Sequence, residues 1–177
     1  MSKNIVVLSG SPRKSGNTET LVAAFKEGAE SAGKTVTVFR TAHIKISACT
    51  GCEYCIGDTK ACTIKDDMTE VLEALHNADV VVWASPIYYF SLTAQLKAAI
   101  DRTYPLRSES AKRTALLLTC ADESSDTAEG ALTIYQKTVE YYGWDNAGVI
   151  IATGVEHIGD IAGHTALVQA KKLGQAI

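Results

Sequence analysis

The chain has 177 residues, 46% hydrophobic and 21% charged, with a formal net charge of -3. That size suits one domain with a buried core, the ordinary composition excludes a disordered or fibrous chain, and the mild negative charge excludes a global basic footprint for nucleic acid. No apolar run reaches the roughly 20 residues of a membrane-spanning helix, and "MSKNIVVLSGSPRKSGNTE" meets charge too early for a signal peptide, so a cytoplasmic protein with no membrane partner and reduced thiols is expected.

The first apolar run, "NIVVLSG" (4–10), has no polar face and reads as a strand buried on both sides of a parallel sheet. It exits into "SGSPRKSGNTETL" (9–21) and then into helical spacing over 17–32, started by Asn17-Thr18. A loop between a strand end and a helix start offers free backbone N–H groups to an anion. Here Ser9, Ser11, Ser15 and Thr18 add hydroxyls, Arg13 adds a cation, and Gly10 and Gly16 permit close backbone approach, so a phosphate site is expected. The alternative is a polar loop ending in a helix cap. Neither G-x-G-x-x-G nor an acidic residue at the end of the second run, "KTVTVFR" (34–40), is present, so a mononucleotide fits better than a dinucleotide. "GAESAGKT" (28–35) matches G-x-x-x-x-G-K-[ST] letter for letter, but a helix precedes it and a strand follows, the reverse of a phosphate cradle. Gly33 is therefore expected to cap a helix.

One long connection then runs from Arg40 to Asp67, and loops of that length are usually functional. Within it, "CTGCEYCIGDTKAC" spaces Cys49, Cys52, Cys55 and Cys62 as C-x2-C-x2-C-x6-C. Four thiolates point to metal or redox chemistry. Zinc competes with an iron–sulfur cluster, although two overlapping C-x-x-C steps differ from paired zinc knuckles, and free redox-active thiols are the third reading.

Helical spacing returns over 67–77, after Asp66-Asp67, and a third strand, "ADVVVWASP" (78–86), leads into a helix over 92–103. Pro86 stops the strand. Tyr88, Tyr89 and Phe90 follow where a loop is normally polar, which suits a flat conjugated ring beside them, or else the core or a subunit interface for at least one of them. The fourth strand, "RTALLLTC" (113–120), ends at Cys120, read as a buried strand-end thiol. A helix over 128–142, a strand "AGVIIATG" (147–154) and a helix over 159–174 complete the chain; His43 and His76 show no ligand spacing, and His157 and His164, after the last strand, read as surface or interface histidines, the alternative being a role beside a bound ligand. Five strands alternating with five helices predict an open, doubly wound α/β sheet, with function in the loops at 9–17, 84–92 and 119–127.

Together, "GSPRKSGNT", the "CTGCEYC" and "CTIKDDM" segments and "ADVVVWASPIYYFSLTAQLKAAIDR" resemble the NADPH-dependent FMN reductase and iron–sulfur flavoprotein group of the flavodoxin-like superfamily, most closely over 5–102. The resemblance implies a flavodoxin-like five-stranded parallel sheet in the order 2-1-3-4-5 with helices on both faces. Residues 1–177 would form a single FMN-binding domain with a cysteine-rich insertion loop at about 41–66. It implies that FMN is bound non-covalently, its phosphate on Ser9, Ser11, Arg13, Gly16, Asn17 and Thr18. The isoalloxazine would lie against Pro86, Ile87, Tyr88, Tyr89 and Phe90, with Cys120 and Asp122 in the 119–122 loop closing one side. In the iron–sulfur flavoproteins a similar compact motif holds a [4Fe–4S] cluster, here on Cys49, Cys52, Cys55 and Cys62. No protein acid or base is obligatory. The implied activity passes electrons from NAD(P)H or a reduced carrier to a small acceptor such as a quinone, free flavin or oxygen species, in a homodimer or homotetramer. A flavodoxin-type carrier without its own substrate and a zinc or thiol redox module are the rival readings.

Overall fold

Five apolar runs become five parallel strands in the order β2-β1-β3-β4-β5, in a computed structural model that describes residues 3–56 and 61–177. They are β1 (Asn4–Ser9), β2 (Thr35–Arg40), β3 (Val80–Pro86), β4 (Arg113–Thr119) and β5 (Asp145–Ala152). Strand order and helix placement are those of the flavodoxin-like class. β1, β3 and β4 are buried almost throughout because helices cover both faces of the sheet, whereas the edge strand β2 is largely open.

The pleat divides each central strand between two cores. Val6, Leu8, Val81, Trp83, Leu116 and Leu118 face α2 (Met68–His76), α3 (Ala94–Asp101) and α4 (Glu129–Tyr142). Ile5, Val7, Val80, Val82 and Leu117 face α1 (Asn17–Ser31) and α5 (Thr165–Ala176). Each fully buried aliphatic side chain contributes about 1.5–3 kcal/mol of transfer free energy, which fixes the register and holds the strand ends, and the loops on them, in place.

The false phosphate motif is a helix end. Gly33 takes φ +76, its N–H donates to the Glu30 carbonyl and the Lys34 N–H donates to the Ala29 carbonyl, the paired bonds of a Schellman stop. Among the boundaries that differ from expectation, two have a clear cause. β5 begins at Asp145 rather than 147, because Arg113 and Thr114 of β4 pair with Asp145 and Asn146 ahead of a bulge. The last helix begins at Thr165 rather than 159, because Gly159 and Gly163 adopt positive φ and His164 caps the helix with Nδ1, which accepts from the Ala166 N–H.

α3 starts at the edge of the sheet and is fixed there: Thr93 Oγ1 donates to the Gly10 carbonyl at 2.9 Å, and the Thr93 N–H donates to Ser85 Oγ at 3.1 Å. Its eight residues carry the chain about 12 Å away from that edge at 1.5 Å per residue. No helix among the described residues is long and apolar enough to cross a membrane.

Candidate functional site

A cleft of about 140 Å³ opens where the first loop meets the exits of β3, β4 and β5. It brings together Ser11, Arg13, Gly16, Asn17, Thr18, Pro86, Ile87, Tyr88 and Cys120, all expected from the sequence, with Thr119 and Ala121 from the 119–122 loop expected to close one side, and adds Val155 and Glu156, which were not expected. The 155–156 segment was missed because nothing in its residue types marks it; it is held at the cleft by the Val155 N–H, which donates to the Cys120 carbonyl, and by long-range bonds from the first loop and the start of α1.

The bonds from α1 belong to Asn17. Its Nδ2 donates to the carbonyls of Val155 and His157, and its Oδ1 accepts from the N–H groups of Gly159 and Ile161. The side chain is therefore committed to bracing the β5–α5 connection, and what Asn17 offers the cleft is its backbone. α1 is capped by Gly16, which supplies no side-chain oxygen, so the first-turn N–H groups have no side-chain acceptor. Ser11 Oγ accepts from the Arg13 N–H at 3.2 Å, and Arg13 Nη1 reaches across to the Glu156 carbonyl at 3.1 Å. Open helix N–H groups, a hydroxyl and a guanidinium make this end of the cleft an anion site.

Ser9, Tyr89, Phe90 and Asp122 do not line the cleft. Ser9 is fully buried and donates to Glu19, whose other oxygen lies 2.6 Å from Arg40 Nε, so Ser9 braces the loop from below. Asp122 turns back on its own loop, where Oδ1 accepts from the Ser124 N–H and its carbonyl from the Gly154 N–H. Cys120 is buried, and burial, with Asp122 adding to it, pushes its thiol pKa up; the group that faces the cleft is a neutral thiol.

Tyr88 and Ser91 exchange both backbone hydrogen bonds across a two-residue turn, with Tyr89 at φ 53 and Phe90 at φ 65. This is the mirror-image hairpin turn that glycine and asparagine normally occupy, and two aromatic residues there cost on the order of 1–3 kcal/mol each. The conformation turns Tyr88 toward the cleft and the other two rings outward, with Tyr89 98% and Phe90 62% exposed.

The four loop cysteines border a second cavity, of about 480 Å³, with Asp101, Arg102, Tyr104 and Pro105 in its wall. Cys49, Cys52, Cys55 and Cys62 are free; residues 57–60 of the last spacer lie outside the described residues. Gly51 at φ 65 and Glu53 at φ 59 wind the loop, and the Gly51 N–H points at Cys49 Sγ, 3.4 Å away. Backbone bonding at Tyr54, then Thr63 and Thr50, lowers the pKa of Cys52, while burial raises that of Cys55. Among the described residues no three Cys, His, Asp or Glu converge on a point suited to one metal ion. This cavity lies at the end of α3 opposite the aromatic turn.

Two arginines hold the cysteine loop against α3. Arg107 donates to the carbonyls of Cys55 and Ile56. Arg102 donates through Nη1 to the Ser47 carbonyl and to Asp66 Oδ2 at 2.5 Å, and through Nη2 to the Ile64 carbonyl. Burial alone would raise the Asp66 pKa, but hydrogen bonds from Arg102 and the Ser47 N–H, with the guanidinium charge, hold it below the usual carboxylate range. Nothing in "IDR" at the end of a helix marks position 102 for this role.

A family model described as NADPH-dependent FMN reductase matches residues 3–139. An iron–sulfur flavoprotein of Archaeoglobus fulgidus is 40% identical over 96 residues, covering 54% of this chain and 43% of that protein. One from Methanosarcina thermophila is 40% identical over 104 residues, covering 58% and 53%. The chain thus spans about half the length of the curated relatives it matches. The structure of an NAD(P)H:quinone oxidoreductase from Methanothermobacter marburgensis superposes with a TM-score of 0.78 at 20% identity over 99% of this chain and 96% of that one, a likeness of fold.

Proposed function

The chain belongs to the NADPH-dependent FMN reductase family, and from that premise we propose that it binds FMN in the cleft and moves electrons from NAD(P)H, or another reduced carrier, to a small acceptor such as a quinone, a free flavin or an oxygen species. The observation that carries this reading is the anion end of the cleft: an α1 start capped by Gly16, with Ser11 and Arg13 beside it and Pro86–Tyr88 extending from it. Bound FMN supplies hydride and single-electron chemistry.

The chain's own residues position and shield. The first-turn N–H groups and Ser11 hold the phosphate, and Arg13 exchanges the Glu156 carbonyl for it, trading a neutral acceptor for a charged one. Pro86, Ile87 and Tyr88 form one wall for the ring, and the neutral thiol of Cys120 places no charge against the other. Tyr89 and Phe90 extend beyond the cleft, where they cover the ring edge or meet a second subunit of a homodimer or homotetramer.

Cys49, Cys52, Cys55 and Cys62 would hold a [4Fe–4S] cluster. The donor set fits: four thiols border one cavity, and a buried guanidinium nitrogen in its wall has no partner among the described residues. Zinc on the same thiols is the alternative and is separated by metal analysis.

Purified protein is expected to bind FMN stoichiometrically and to oxidise NADPH or NADH in the presence of a quinone or dye acceptor. A chain that binds no FMN overturns the reading, and FMN binding without nicotinamide oxidation assigns it the role of an electron carrier.

A further inference from the structure

Arg102 is buried to a degree unusual for arginine, its side chain 1% exposed. Its three hydrogen bonds are all made by the terminal nitrogens, which are engaged by Asp66, Ser47 and Ile64. The remaining Nε–H has no hydrogen-bond partner among the described residues. A buried donor left unmade costs roughly 1–3 kcal/mol, so native chains rarely leave one without a ligand or ion to meet it. Arg102 stands in the wall of the cysteine cavity, and Cys62 is close enough to its guanidinium to favour the charged form, without making a well-formed hydrogen bond to Nε.

We propose that Arg102 is a positioning and potential-setting residue of the cysteine site, its terminal nitrogens fastening the loop and its Nε–H donating to a sulfur of the cluster held by Cys49, Cys52, Cys55 and Cys62. The inference rests on the cluster reading above. A cubane on four thiolates carries net negative charge, and one-electron reduction adds another. A fixed cation with a donor aimed at sulfur therefore stabilises the reduced state more than the oxidised one. Asp66 offsets part of this charge, but it is bound on the far, terminal-nitrogen side of the guanidinium. Arg107, the other arginine on this loop, bonds carbonyl oxygens and stacks over Tyr104 with its guanidinium carbon 4.8 Å from the ring centre.

The test uses the full chain, loaded anaerobically with ferrous iron and sulfide. Arg102→Gln and Arg102→Lys are compared with wild type for iron and acid-labile sulfide per chain and for the midpoint potential of the loaded site. Loss of charge and donor in Arg102→Gln should move the potential negative by a tenfold change in the one-electron equilibrium, about 59 mV. Arg102→Lys, which keeps the charge and loses Nε–H, should move it in the same direction by less. A second measurement needs no variant: in wild type grown with 15N-arginine and then reduced, pulsed EPR should show a nitrogen coupled to the paramagnetic cluster. A loaded Arg102→Gln chain with unchanged potential, or a reduced wild type with no arginine coupling, overturns the inference alone. A wild type that takes up no iron and sulfide overturns the cluster reading and this inference with it.

Discussion

Gly130, in the first turn of α4, faces the carbonyl of Phe90 so closely that a Cβ in its place would lie 2.3 Å from that oxygen. The strained turn beside the cleft is thus pressed against a helix that has been cleared to receive it. Gly130→Ala should push the turn outward and misplace Pro86–Tyr88, weakening FMN binding by about tenfold, the scale of a clash costing 1–3 kcal/mol. Fluorescence titration with FMN reads this directly; an unchanged affinity would show that α4 does not shape the cleft.

The turn itself trades stability for surface. Tyr89 and Phe90 hold positive φ while exposing their rings, so the double variant Tyr89→Asn, Phe90→Gly should stabilise the apo protein by about 1–3 kcal/mol in urea unfolding. The same variant should bind FMN more weakly or lose self-association in sedimentation. A variant no more stable than wild type would mean that the aromatic pair is not strained.

Among the described residues, Arg13 is the only arginine or lysine side chain lining the cleft. Arg13→Ala should weaken FMN binding by about 10- to 100-fold, the range of one charge-assisted hydrogen bond of 1.5–3 kcal/mol, and should leave riboflavin, which lacks the phosphate, nearly unaffected. Equal loss for both ligands would place Arg13 on the ring or the ribityl chain instead.

Sequence pattern carried the sheet because its strands are covered on both faces: "VVVW" and "LLL" have no polar side to confuse with a helix stripe, and loop order then follows from chain order. The first loop was legible for the same reason, since a strand exit and a helix start fix where its N–H groups point. What stayed hidden depends on contacts distant in sequence. Ser9 resembles any loop hydroxyl until Glu19 and Arg40 are seen to enclose it. Glu156 enters through its backbone, which no residue type announces. Tyr89 and Phe90 were placed beside a flat ring by residue type and by the family resemblance, and the positive φ values of the turn that leaves them outside the cleft lining carry no mark in the sequence.

Asp66 makes the cysteine loop sensitive to acid. Its pKa is held below the ordinary 3.8, chiefly by Arg102 and the Ser47 N–H against the opposing effect of burial. A carboxyl depressed in the folded state contributes stability that is fully present above the unfolded value and is lost as pH falls through the folded one. Urea unfolding of wild type and Asp66→Asn should therefore differ by a constant amount at neutral pH, about 3–5 kcal/mol for one partner of a buried pair. That difference should shrink below pH 3.8, where the wild-type carboxyl also becomes neutral and the two chains converge. A difference that persisted undiminished into strong acid would assign the cost to the amide's altered hydrogen bonding with Arg102 and Ser47, and the ion pair would then contribute nothing of its own.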